Sequence, residues 1–362
     1  MNRFTKIITL LCFVAAVSSC SKDEDLIVTV PASDGSTLTL NGLIGAEDGP
    51  SAGNSVFVDF STDKQTSAAR ASWDLGFYSG TEFRVILNHT AGAAAIVTTK
   101  TDLNAVTAAD TIALALSAKL TIGQGAGDFP QVDPVDGNLS TYLTGTVIKE
   151  ISATEADNKV YIVNPGMAGF TGKRYWQKIR VIRSGNGYTL QYAKINETTF
   201  KTLTITKDAA FNFKYASFTT GAVDVEPEKQ AWDIEWTLAT YKAVAATTVP
   251  YTFSDFVLIN FVGGVTAAEV VFSGTTANST VTYANFTEAN LSGITFLGTR
   301  EAIAGNWRIT SPATSAGVKT DRFYLLKDGA GNIYKLKFVS FHANDSGTRG
   351  KPVIEYKLVK KA

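Results

Sequence analysis

Beyond its first twenty residues the chain is written in short runs where apolar and polar side chains alternate, cut by Gly, Asn, Asp and Ser. Ser55-Val56-Phe57-Val58-Asp59-Phe60, Phe83-Arg84-Val85-Ile86-Leu87-Asn88 and Lys178-Ile179-Arg180-Val181-Ile182-Arg183 are three of them, and Ile333-Tyr334-Lys335-Leu336-Lys337-Phe338 is a fourth. Alternation with period two in β-branched and aromatic residues predicts strands with one buried face, because successive side chains of a strand point to opposite sides. Ser184-Gly185-Asn186-Gly187 and Asp328-Gly329-Ala330-Gly331-Asn332 supply the residues that tolerate positive φ in tight hairpin turns. No long amphipathic helix is visible, and only the Ala-rich stretch 105–120 has room for helical turns. The predicted class is all-β.

Residues 1–20, MNRFTKIITLLCFVAAVSSC, pair a basic start (Arg3, Lys6) with an 11-residue apolar run, Ile7 to Val17, and the small residues Ser18-Ser19 before Cys20. This is the pattern of a secretory signal too short to span a bilayer stably. Val17-Ser18-Ser19-Cys20 fits a bacterial lipobox, so residues 1–19 are expected to be removed and Cys20 lipidated, with residues 20–35 as a flexible tether. Ser21-Lys22-Asp23-Glu24-Asp25 resembles a surface-export signal and points to the outer face of an outer membrane. The remaining chain carries 31 basic and 33 acidic groups (33 − 2 and 33 − 0), a net charge of −2, and one cysteine. Such a balance gives no electrostatic reason to expect nucleic acid, and a disulfide framework has no material.

Trp73-Asp74-Leu75-Gly76-Phe77 and Trp232-Asp233-Ile234-Glu235-Trp236 lie 159 residues apart (232 − 73), and each follows an aromatic strand. Each is followed later by a strand, a Gly/Asn turn and a second strand: 176–192 in the first case, 323–338 in the second. Matching order at two levels is the mark of an internal repeat. It suggests two tandem domains, 36–207 and 208–362.

The stretches Tyr215–Val223, Trp232-Asp233-Ile234, Val271-Phe272-Ser273-Gly274 and Gly305-Asn306-Trp307, with the closing runs 323–338 and 350–356, resemble the HmuY-like family of surface haem-binding lipoproteins. The likeness covers 208–362 well and 50–205 more loosely, which makes 36–207 the divergent domain. It implies antiparallel β domains, non-catalytic capture of haem, and transfer to an outer-membrane haem transporter. Members that bind haem use a pair of His or a pair of Met, one of them shortly after the tryptophan preceding the final hairpin.

Here that stretch, Trp307–Ser315, holds neither. In the first repeat Met167, the methionine outside the leader, stands near the corresponding place in a Pro-Gly loop. His89, at the end of a strand, is the second candidate ligand if that strand end faces the Met167 loop. Haem iron takes its axial ligands from His, Met, Cys or Tyr, and propionates favour Arg and Lys. Lys173, Arg174, Lys178, Arg180 and Arg183 are the basic candidates, the last three also suited to the solvent side of a half-buried strand. Neither His89 nor His342 has a carboxylate at triad or metal-ligand spacing, so no catalytic residue is expected. The other reading of the same scaffold is a β-sheet module that binds a protein, a glycan or another small ligand at the surface.

Overall fold

The structure, a computed structural model, describes residues 31–123, 126–167, 174–244 and 248–362. The signal segment, the lipobox with Cys20 and Lys173 lie outside the described residues. Two five-stranded and two four-stranded antiparallel sheets make up most of it. The first five-stranded sheet runs Gly35–Thr39, Val353–Lys360, Ile333–Ser340, Arg322–Lys327, Thr266–Val271. The second runs Lys201–Thr206, Gly187–Lys194, Gln177–Ser184, Tyr161–Asn164, Ala94–Val97. The second is built from strands in continuous chain order, all before residue 207, whereas the first takes its leading edge strand, Gly35–Thr39, from the beginning of the sequence.

The four-stranded sheets carry that exchange further. One joins Thr248–Ile259 and Ile234–Val244 to the hairpin Asn54–Asp59/Lys64–Ala69. The other joins Val85–Leu87 and Leu75–Tyr78 to the hairpin Phe213–Ser217/Gly221–Val223. A division at residue 207 therefore does not separate two self-contained domains. Strands from both sides of it share three of the four sheets, and Ala32–Ala362 packs as one unit. The pairing register allows this because each hairpin is half-buried on its own and needs a partner strand to cover its ladder.

The Trp-Asp pairs hold the exchanged hairpins. Asp74 N donates to Ala216 O at 2.8 Å, and the Asp74 carboxylate accepts the Phe218 N–H at 2.6 Å. Asp233 N donates to Val58 O at 2.7 Å, and its carboxylate accepts the Phe60 N–H at 2.8 Å. Each tryptophan meets an aromatic ring of the incoming strand edge to face: Trp73 on Tyr215 at 4.9 Å and 77°, Trp232 on Phe57 at 5.1 Å and 78°. Asn88 and Asn260 complete the motif, each donating through Nδ2 to the carbonyl of the tryptophan, Trp73 at 2.7 Å and Trp232 at 2.9 Å.

Two cores fill the space between sheets. Trp236, Trp307, Tyr324, Tyr334, Tyr356 and Phe60 form one, and Phe77, Leu75, Tyr188, Leu190, Val163 and Ile179 the other. An aromatic cluster of Phe57, Trp73, Phe213, Tyr215 and Trp232 lies at the joint between the exchanged hairpins. Residues 105–120 do turn helical, as Ala108–Ala113 and Leu116–Leu120, and these cover the outer side of the second five-stranded sheet through Leu116 and Leu120. Among the described residues no helix is long and apolar enough to cross a membrane.

Burial pushes the Asp233 carboxyl up to about 8, with Asp59 and Asp328 adding to the rise and the Phe60 N–H opposing it. A carboxyl raised in the folded state binds more protons folded than unfolded between its ordinary range and pH 8, so stability falls as pH rises through that window. Burial raises Glu226 (to about 8) and Asp133 (to about 6) in the same sense. Melting temperature is expected to be higher at pH 5 than at pH 9. Asp233→Asn, which keeps an oxygen for Phe60, narrows that difference, and thermal unfolding across the range measures it.

Candidate functional site

A cleft of about 300 Å³ opens where the second five-stranded sheet meets the exchanged hairpin Phe213–Ser217/Gly221–Val223. Its walls come from both sides of the exchange: Asp74, Pro165, Arg174, Tyr192, Lys194 and Lys201 from one, and Ser217, Phe218 and Thr219 from the other. Volume of this order is the lower end of what ligand sites use.

Arg174 organises the floor. It is ion-paired to Asp74, donates through Nη1 to Pro165 O at 2.5 Å and through Nη2 to Trp73 O at 3.4 Å. One guanidinium thereby ties the Pro165–Met167 loop to the first Trp-Asp pair, using the fork geometry that lysine lacks. Burial pushes the Asp74 carboxyl up, while Arg174 and the Phe218 N–H hold it down; burial likewise lowers Arg174, and Asp74 opposes that. At the rim, Lys194 stands 3.3 Å from Glu197 and lies over the Tyr175 ring at 5.4 Å. Tyr175 is half exposed. Lys201 opposes Tyr192 on the edge strand, in register. The arrangement presents cations and aromatic faces to solvent beside a buried ion pair, which suits an anionic ligand with a flat apolar body.

The structure brings the backbones near the two predicted ligands together but not their side chains. Met167 N donates to Ala91 O at 2.8 Å, so the loop after His89 touches the Met167 loop. Met167 itself is 72% exposed and follows two residues after Pro165 at the cleft rim. The His89 imidazole turns inward rather than toward the Met167 side chain, with Nε2 3.4 Å from Glu235 Oε2 and its ring 5.7 Å from Trp73. None of the described cavities is lined by both residues. The His89–Glu235 contact was invisible in the sequence because 146 residues (235 − 89) separate the partners and only strand exchange closes the gap.

The other basic candidates are occupied. Lys178 is buried rather than solvated, its Nζ donating to Val106 O at 2.8 Å. Arg180 holds Asn158 O at 3.0 Å and Glu155, and Arg183 holds Ile151 O at 2.6 Å. Side chains long enough to cross a sheet edge found carbonyls in the covering loops. His342 caps the short helical turn Ala343–Asp345, its Nδ1 accepting the Asn344 N–H at 3.3 Å. In the second half, Trp307 is fully buried and stacked on Phe338 at 4.1 Å, and Arg308 bonds Gly305 O at 3.1 Å. Among the described residues no group of three His, Cys, Asp or Glu is placed to hold a metal ion. Lys194, Lys201 and Phe218 are the cleft residues that sequence reasoning missed. The lysines carry no motif, and Phe218 reaches the cleft only through the exchange.

Removing the arginine leaves a buried carboxylate with one N–H partner, the costly half of breaking an ion pair. Arg174→Met is expected to destabilise by about 3 kcal/mol in urea unfolding, and adding Asp74→Asn restores part of that loss.

The family model described as HmuY protein matches residues 51–356. No curated protein and no solved structure matches the chain.

Proposed function

The chain belongs to the HmuY family, a family of binding proteins known for haem rather than for catalysis, and from that premise we propose that it captures haem at the cell surface in the cleft beside Pro165. The observation that carries the reading is the cationic, aromatic cleft standing next to the exposed Met167 in a chain matched over 51–356. The residues fit the periphery of the group well. Lys194 and Lys201 are placed at the rim for propionates, with Tyr175 and Phe218 for the macrocycle edge. They fit the iron only in part, since Met167, two residues beyond Pro165 of the wall, offers one thioether and no His or Met lines the cleft itself among the described residues. Bound haem would supply an iron that takes a soft sulfur ligand.

The chain's own work is passive. The buried aromatic wall excludes water on one side, the lysines orient the carboxylates, and Arg174 stays on Asp74 and holds the loop that presents Met167. Lipidation at Cys20 would tether the domain to the outer membrane, and an outer-membrane haem transporter would receive the cargo. A second reading has its own support: the missing opposed ligand suits a cleft that takes a glycan or peptide stacked on Tyr175 and Phe218.

Haem titration of protein starting after Cys20, followed by visible absorption, separates the two. Saturation near one equivalent, a spectrum altered by Met167→Ala, and binding weakened about tenfold by Lys201→Glu are expected. No spectral change in either redox state overturns the haem reading and leaves the second. For the anchor, Cys20→Ser in cells is expected to move the protein from the membrane fraction to the soluble one.

A further inference from the structure

The joint between the exchanged hairpins carries polar groups that its own architecture does not demand. Asn88 and Asn260 make matching bonds, and each accepts a later backbone N–H through Oδ1, from Thr90 at 3.0 Å and Gly263 at 2.8 Å. His89 follows Asn88 as Phe261 follows Asn260, and Glu235 stands two residues after Asp233 as Gly76 stands after Asp74. One side of the joint is thus built with Phe261 and Gly76, and the other with His89 and Glu235. The apolar pair shows that the scaffold closes without an imidazole or a carboxylate there, and burying such a pair is seldom a net gain in stability.

These two residues line a cavity of about 50 Å³ together with Arg300, Trp232, Tyr142 and Glu226. Arg300 is 3% exposed and Trp232 8% exposed, and Arg300 Nη2 and Trp232 Nε1 are buried without a hydrogen-bond partner among the described residues. Leaving such donors unmet costs about 1–3 kcal/mol each. The charges facing the cavity balance: Arg300 against Glu235, with Glu226 held protonated at neutral pH by its burial and His89 held neutral by its own. In the adjoining small pocket, Asp133 already accepts from Leu87 N at 2.6 Å and Val147 N at 2.9 Å. No positive excess invites an anion, and the surplus of donors repels a cation. A neutral molecule that both accepts and donates satisfies the set, and a buried water needs only roughly 10–15 Å³ and two to four polar partners.

We propose that this cavity is an internal hydration site, where ordered water accepts from Arg300 Nη2 and Trp232 Nε1 and donates to Glu235. High-resolution crystals of the intact domain, with and without xenon pressure, test it. Water density within hydrogen-bond reach of Arg300 Nη2 and Trp232 Nε1, with no xenon in the cavity, is expected. Xenon there, or no water beside those donors, overturns the proposal, because dry cavities are the apolar ones that take the gas. In solution, water oxygen-17 relaxation should show fewer long-lived internal waters for His89→Phe, which installs the residue found at position 261; an unchanged count also overturns it. If that variant does not fold, the crystals of the unmodified protein decide alone.

Discussion

A buried carboxylate that accepts the backbone N–H of a hairpin from the other half of the chain is the contact on which this architecture rests. Asp74 does this for Phe218 and Asp233 does it for Phe60. Each N–H lies just past the end of a strand, where the ladder can no longer satisfy it and water cannot reach. The preceding tryptophan seals the same place with an edge-on ring contact. Without these two clasps the exchanged hairpins would present unpaired ladders, and the aromatic joint between them would open to solvent.

The two clasps are not equal. Asp74 has Arg174, which keeps a charge acceptable in its site and reaches the Pro165–Met167 loop at the same time. Asp233 has acids nearby instead, so burial drives it toward the protonated form. The same motif therefore anchors a cleft in one half and only packing in the other. That asymmetry places the candidate ligand site beside the first Trp-Asp pair, where the strand Lys201–Thr206 also contributes a lysine at the rim. Likewise the sequence puts Phe261 and Gly76 at the positions of one repeat where the other has His89 and Glu235, so the polar character of the joint is one-sided.

Much of the fold was legible residue by residue. Gln177–Ser184 and Gly187–Lys194 alternate and turn at Gly185, whose φ of 54° is the left-handed geometry its sequence context called for. The Trp-Asp pairs marked corresponding places, and both tryptophans are buried against strands as aromatic strand neighbours should be. The site was less legible. Met167 lies two residues beyond Pro165 of the cleft wall, and His89 turned inward to Glu235. Lys178 looked solvent-facing by alternation and is instead buried under the loop that carries Val106. Alternation reports which face of a strand a residue takes; it is silent on what a later loop lays over that face.

Sequence by itself determined the strands, the turns, the charge balance and the positions of the two Trp-Asp pairs, because these depend on neighbours within a few residues. Tertiary structure decided which strands pair, that each half lends a hairpin to the other and the first half an edge strand as well, and which side chains line the cleft and the joint. Local pattern sets the shape of each ladder edge, but any edge of matching twist can satisfy it. The choice among partners is made by buried contacts such as Asp74 with Phe218 and His89 with Glu235, whose members lie 144 and 146 residues apart (218 − 74 and 235 − 89).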